Sequence, residues 1–218
     1  MDDDYDRQQL AAYIALTCGE QAVRDGEVEV EGKTDDEIRE SLAEWMQAFA
    51  RSDQPFVVQR DHGTTLVAEA MKYQESGRSD LAILLAATQV EHWLNYMLLW
   101  ASTRRREMAW NEAKQVVRAN LQAKTGWVWR LLYDEPMPPD LTTRINALGA
   151  QRNVFVHYKW ESFDPDADDD SAEQLSAIAD DGLRLIEDLH ELEDRLVFYG
   201  KRAVIARVLS RQAEDPLT

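Results

Sequence analysis

A run of mostly apolar residues from Leu81 to Ala101 is the feature that most constrains how this 218-residue chain can fold. The run has the length of a membrane-spanning helix. Four polar or charged side chains interrupt its middle, namely Gln89, Glu91, His92 and Asn95. Because ionisable groups inside a bilayer are costly, the run indicates the central helix of a folded core rather than a membrane span. We therefore predict no contact with a membrane.

Patterns typical of helices occupy most of the remaining chain. Residues 5–24 predict a first helix, and Thr34 and Glu37 have the spacing of a capping box that opens a second helix ending near residue 50. Ser79 is placed to cap the long apolar helix. A final amphipathic helix is predicted from about residue 172 to residue 208. The predicted fold class is all-α, an antiparallel helical bundle.

Three more helical segments are predicted between the long apolar helix and the final one. They cover residues 104–120, 121–133 and 140–157, and prolines at positions 136, 138 and 139 separate the last two segments. Asp140 is placed to cap the segment that follows these prolines.

The chain is long enough for one substantial core with an appendage. We predict an N-terminal helical extension over residues 1–60, a helical bundle over 61–210 and a C-terminal tail over 211–218. Two short β-branched runs, residues 28–30 and 56–58, predict a small β-ribbon within the extension.

Composition limits the compartment and the partners. Acidic residues number 41 and basic residues 24, which gives a net charge of −17 and opposes non-specific attraction to nucleic acid or anionic membranes. The single cysteine, Cys18, excludes an internal disulfide and favours a reducing compartment. An acidic N-terminus is unlike a signal peptide, so we predict a cytoplasmic protein.

Positive charge is concentrated in residues 101–133, where seven basic and two acidic side chains give a net +5. Lys114 and Arg118 share a helical face that could follow a phosphate backbone, and Lys124 is a third candidate. Pairing with acidic neighbours on a solvated face fits equally well. Trp127 and Trp129 lie in the same stretch, where base stacking and core packing are both compatible with the pattern.

The main chemical cluster of the sequence is Arg152, Asn153 and His157, which combine a guanidinium, an amide and an imidazole. On a helix, Asn153 and His157 share a face, whereas Arg152 and His157 lie about 140° apart around the axis. Either Arg152 reaches around the helix, or a second copy of the helix supplies the missing group across a twofold axis.

These residues and their order resemble the Arg-x4-His motif of HEPN domains (higher eukaryote and prokaryote nucleotide-binding), whose common form is Arg-Asn-x-x-x-His. The resemblance covers roughly residues 62–200 and implies a HEPN-like bundle with the motif after a long apolar helix. It implies a metal-independent endoribonuclease of a toxin or phage-defence type, with RNA as substrate, no cofactor and a composite site in a homodimer. In that site His157 transfers a proton, Arg152 stabilises charge on the phosphate, and Asn153 positions the reacting groups.

An antitoxin or a regulatory protein is a candidate partner, but the motif does not extend in the way that would imply one of the nucleotidyltransferase type. In HEPN toxins that pair with a nucleotidyltransferase antitoxin, a tyrosine follows the motif histidine by two residues. That position is Lys159 in this chain, and Tyr158 is adjacent to the histidine instead. We retain Tyr158 as a candidate accessory residue, without the family's usual spacing.

Glu91 is the second candidate accessory residue, because an unpaired carboxylate within the apolar helix would be costly. It is placed either to orient His157 or simply to lie on a narrow polar strip of its helix. We assign no metal site: His62 and His190 lack second ligands at useful spacing, and residues 164–175 lack the Gly and Glu of a calcium-binding loop.

Two other interpretations stay open. In the first, Arg152 and Asn153 cap or bridge helices, and His157 packs between Phe155 and Trp160. In the second, the bundle is a non-catalytic HEPN-like module that binds a nucleotide or a protein partner, for which the net charge of −17 is the support. A nuclease site should lie in a local positive field. If the chain is a nuclease, the basic stretch 101–133 should therefore border the motif, and a remote position would favour the non-catalytic module.

Overall fold

The computed structural model describes residues 16–52, 63–156 and 170–214 of the chain. All regular elements within these ranges are helical, which confirms the all-α fold class. None of the helices in the described ranges is long and apolar enough to cross a membrane.

The helices are labelled in chain order. They are α1 (residues 16–24), α2 (Asp35–Arg51), α3 (Gly63–Glu75), α4 (Ser79–Trp100), α5 (Trp110–Val116), α6 (Leu121–Ala123), α7 (Trp129–Tyr133), α8 (Pro139–Val156), α9 (Asp170–Val197) and α10 (Arg202–Glu214). Two π-helical segments, π1 (Ala101–Arg105) and π2 (Lys124–Val128), directly follow α4 and α6.

The chain divides into two compact units. One comprises Met1–Val58 together with Glu191–Thr218, and the other comprises Gln59–His190. The predicted division instead assigned residues 61–210 to a single bundle. The C-terminal residues group with the N-terminal ones because Glu193 accepts hydrogen bonds from both Arg24, at 3.0 Å, and Arg202, at 3.4 Å.

The unit that contains the N-terminal residues has the predicted capping box at the start of α2. The Thr34 hydroxyl accepts from the backbone N–H of Glu37, whose carboxylate accepts from the backbone N–H of Thr34. The predicted β-ribbon is not formed at residues 28–30, where Val28 donates a backbone hydrogen bond to Ala22 and is buried after α1. Residues 56–58 lie outside the described residues.

The predicted central helix is α4, and it organises the unit Gln59–His190. Side chains along most of its length are buried, and both α3 and α8 pack against it. The predicted cap at Ser79 is wrong, because Ser79 is already the first helical residue and its hydroxyl instead donates to Gln74 Oε1 at 2.9 Å.

Helix α8 carries the described part of the motif, and α9 holds it in place. The guanidinium of Arg144 donates to the carboxylates of Asp181 at 3.2 Å and Asp188 at 2.5 Å. A Cβ on Gly182 would lie 3.2 Å from Leu148 and 3.3 Å from Ala86. The absent side chain of Gly182 therefore lets α9 approach both α8 and α4 closely.

Three of the predicted helices are interrupted. The predicted segment 121–133 is kinked at Gly126, whose φ of −103° and ψ of −110° are not helical. The predicted segment 104–120 is interrupted after π1, where Glu107 has a φ of +51°, before α5 begins. The predicted final helix is also divided, since α9 ends at Val197. Tyr199 and Gly200 there adopt positive φ values of 53° and 74° before α10 begins. Glycine favours this left-handed conformation, which ends helices.

Candidate functional site

The arginine of the motif lies where α8 approaches α4. Leu141, Ile145 and Leu148 form the buried seam of α8, and Arg152 follows Leu148 by four residues on the same face. This register directs the guanidinium towards α4, where Arg152 Nη1 donates to Glu91 Oε2 at 2.5 Å. The predicted accessory residue Glu91 thus contacts the motif, through its arginine.

Arg152 remains accessible to solvent in this position. Its side chain is 33% exposed, and its second terminal nitrogen, Nη2, donates to Asn153 Oδ1 at 3.3 Å. Asn153 is itself exposed near the end of α8. The two described residues of the motif therefore form one connected polar group at the surface.

Lys124, predicted as an RNA-binding cation, lies in the interior of the unit. It is the first residue of π2, and its side chain is only 4% exposed. Its ammonium donates to Asn95 Oδ1 at 2.6 Å and lies 3.6 Å from Glu91 Oε1. Burying an ammonium is costly unless it is paired, so Glu91 and Asn95 together compensate this charge.

Glu91 therefore joins two cations from different segments. Burial by itself would raise the pKa of its carboxyl, but the hydrogen bond and charge of Arg152, together with Lys124, outweigh that effect. The pKa of Glu91 is consequently lower than its ordinary value, and the carboxylate stays ionised between the two cations. We call Glu91, Asn95, Lys124, Arg152 and Asn153 the Arg152 cluster.

The lowered pKa predicts a pH dependence of stability for Glu91→Gln. A carboxyl whose pKa falls on folding stabilises the fold above its unfolded pKa, and this contribution is lost as pH falls through the folded value. Urea unfolding should thus show wild type more stable than Glu91→Gln at neutral pH, with a difference that shrinks between about pH 5 and pH 3.

The exposed Glu187 on α9 provides a matched control for this experiment. Glu187→Gln should change the free energy of unfolding by less than about 0.5 kcal/mol. A Glu91→Gln difference that stays constant on acidification would contradict the role assigned to this carboxylate.

The other predicted site residues are placed differently. Lys114 and Arg118 are exposed on α5 and the turn after it, and the Lys114 ammonium lies 5.8 Å from the centre of the Trp110 ring. In the described ranges no hydrogen bond or ion pair joins them to Arg152 or Glu91. The basic stretch thus meets the Arg152 cluster at Lys124. His157 and Tyr158 lie outside the described residues.

Sequence reasoning missed Asn95 as a member of the cluster. It lies four residues after Glu91, so the two side chains share a face of α4. The spacing could have predicted this role, because two polar groups on the same face of an apolar helix indicate a shared partner. Among the described residues, no group of three or more His, Cys, Asp or Glu side chains is placed to hold a metal ion.

Comparisons with protein-family models, curated proteins and solved structures found no match to this chain.

Proposed function

We propose that this chain is a metal-independent endoribonuclease of a toxin or phage-defence type, whose site forms around Arg152, Asn153 and His157. The observation that carries the proposal is the partly exposed guanidinium of Arg152, which Glu91 and Asn153 hold at the end of α8. A guanidinium oriented in this way is suited to bind a phosphodiester.

The charge balance of the cluster supports this proposal. Two cations, Arg152 and Lys124, surround the single carboxylate of Glu91, so the cluster is net positive in a chain with a net charge of −17. Because the rest of the chain repels RNA, a substrate would be attracted at local positive sites such as this one.

The proposed reaction needs no metal ion. His157 accepts the proton of a ribose 2′-hydroxyl, the 2′-oxygen attacks the adjacent phosphorus, and the bond from phosphorus to the 5′-oxygen breaks. The departing 5′-oxygen takes up a proton from water, which leaves a 2′,3′-cyclic phosphate and a 5′-hydroxyl, and His157 returns its proton to solvent. Arg152 stabilises the negative charge that develops on the phosphate oxygens.

The proposed site is composite and lies between two copies of α8. Arg152 and His157 are separated by about 140° around one helix, so a twofold axis would bring the arginine of one protomer to the histidine of the other. The exposed apolar side chain of Val156, adjacent to the motif, supports an interface at this end of the helix.

The test is incubation of the purified protein with total RNA in EDTA, followed by analysis of the fragment ends. Wild type should produce cyclic phosphate ends, and Arg152→Ala should cleave about 10²- to 10³-fold more slowly. Arg78→Ala is a matched control, because Arg78 is an exposed arginine of the same unit that pairs with Asp80. Equal rates for wild type and Arg152→Ala would contradict the proposal.

A second candidate function is a non-catalytic module that binds a basic protein partner. Its support is the net charge of −17, which is suited to a basic partner. In addition, Glu91 occupies a donor of the Arg152 guanidinium, as in a structural bridge between α4 and α8. In that case wild type would leave RNA intact, and Arg152→Ala would lower the free energy of unfolding without affecting any cleavage. An antitoxin or regulatory protein is a partner compatible with either function.

A further inference from the structure

Trp127 is displayed on the surface of π2 in a way that packing does not explain. Its side chain is 66% exposed, whereas the adjacent Val128 and Trp129 are buried. Leu131, four residues later in α7, is a second exposed apolar side chain. Large exposed apolar groups close together mark interaction sites.

A depression lies beside Leu131. It has a volume of 540 Å³, and its lining includes Arg106, Arg130, Leu131 and Asp134. Trp127 lies outside this lining, three residues before Arg130 in the sequence. Arg106 is held in place, because its Nη2 donates to the carbonyl oxygen of Leu131 at 2.6 Å and to Asp134 at 2.5 Å. The exposed side chain of Arg130 takes part in no ion pair or hydrogen bond with the described part of the chain.

Arg130 gives this surface a positive charge that no acidic neighbour balances among the described residues. Lys124 and Arg106 add little to it, because Lys124 is buried against Glu91 and Arg106 pairs with Asp134. An exposed indole offers a flat π-face on which a nucleic-acid base of any sequence can stack, and arginine adds contacts to phosphate or base. Trp127 supplies the stacking face, and Arg130, three residues later, supplies a positive charge for phosphate or base.

The same segment leads to the Arg152 cluster. Trp127 follows Lys124 by three residues in π2, and Lys124 contacts Glu91, the ion-pair partner of Arg152. We propose that Trp127 and Arg130, with the depression that Arg130 lines, form a stacking platform that binds single-stranded RNA; this proposal rests on the ribonuclease function and assigns how the substrate is held.

A second copy of the chain fits this surface less well. A twofold axis through the platform would bring Arg130 against its own counterpart, and like charges placed together repel. An acidic protein segment would satisfy the charge but would not need the flat face of Trp127. Single-stranded RNA would use both the positive charge of Arg130 and the flat face of Trp127.

The experiment measures binding of a fluorescein-labelled oligouridylate of about 12 nucleotides. His157→Ala is the background, in EDTA, so that the probe is not cleaved. Adding Trp127→Ala should weaken binding by about fivefold to a hundredfold, the range typical of one lost base stack, whereas Trp127→Phe should retain most of the affinity. Unchanged affinity with Trp127→Ala would overturn the platform.

Trp110→Ala is the matched control, because Trp110 is another exposed tryptophan of the basic stretch. Its effect should stay below about twofold, and equal losses for both tryptophans would overturn the assignment to Trp127. Poly-glutamate is the competing probe. Binding that depends on Trp127 for poly-glutamate and not for RNA, or self-association that depends on Trp127, would also overturn the platform.

An assay of RNA cleavage by wild type distinguishes failure of the platform from failure of the ribonuclease function. If wild type cleaves RNA but binding does not depend on Trp127, only the platform is overturned. If binding depends on Trp127 and wild type does not cleave, the platform is supported and the ribonuclease function is overturned. Absence of both binding and cleavage would overturn both.

Discussion

Replacing His157 with alanine is expected to lower RNA cleavage by about 10²- to 10⁴-fold, the usual contribution of a general acid or base, while the helical fold is retained. Imidazole is, by residue type, the side chain suited to proton transfer near neutral pH, and neither a guanidinium nor an amide can take over that role. Initial rates on total RNA in EDTA, with circular dichroism to verify folding, measure this effect.

His92 provides the matched control for this variant. It is an exposed histidine on α4, directly after Glu91 and outside the motif. His92→Ala should cleave RNA at the wild-type rate. Activity that survives in His157→Ala, or disappears equally in His92→Ala, would remove His157 from the mechanism.

Mixing two inactive variants tests whether the site is composite. A heterodimer of Arg152→Ala and His157→Ala contains one site in which both residues are intact, if each site takes its arginine and histidine from different protomers. With random pairing, the mixture should regain about a quarter of the wild-type activity. A mixture as inactive as its components would place both residues within one protomer's site or exclude the dimer.

Replacing Trp129 with alanine is expected to lower the free energy of unfolding by about 3–5 kcal/mol, the largest stability effect that we predict. Trp129 is 1% exposed, and its ring stacks on Tyr133 at 4.1 Å and on Trp93 at 6.2 Å between ring centres. Tyr133 in turn donates a hydrogen bond to the carbonyl oxygen of Met97 at 3.0 Å. Removal of the indole would leave a cavity where α7 packs on α4.

Trp127 is the matched control, since it lies two residues away and is exposed. Trp127→Ala should change the free energy of unfolding by less than about 0.5 kcal/mol. Urea unfolding followed by circular dichroism measures both variants. Similar losses for the two tryptophans would contradict the arrangement of π2 and α7 described above.

The helical class could be predicted because helix formation leaves local patterns. The apolar residues of α4 and the capping box of α2 were both recognised from spacing alone. The break between α9 and α10 was missed, although Gly200 was a visible signal, because the apolar periodicity continues on both sides of it. The π-helical segments were missed because their backbone geometry has no comparable sequence pattern.

The candidate site was predicted in part. Arg152, Asn153 and Glu91 were selected from the sequence, and these three residues are in contact. Lys124 was selected for its charge within a basic stretch, but its side chain is buried against Glu91 and Asn95. Charge in a sequence does not specify which side of a segment faces solvent. The roles of His157 and Tyr158 remain predictions from the motif.

The sequence by itself determined the all-α class, the central place of α4 and the need of Glu91 for a partner, because each depends on periodicity or on the cost of burying a charge. Only the tertiary structure decided that this partner is shared between Arg152 and Lys124, and that Trp129 is buried while Trp127 is exposed. The physical reason is separation along the chain. Asn95 and Lys124 are 29 residues apart and Glu91 and Arg152 are 61 apart, so packing of α4, π2 and α8 brings them together.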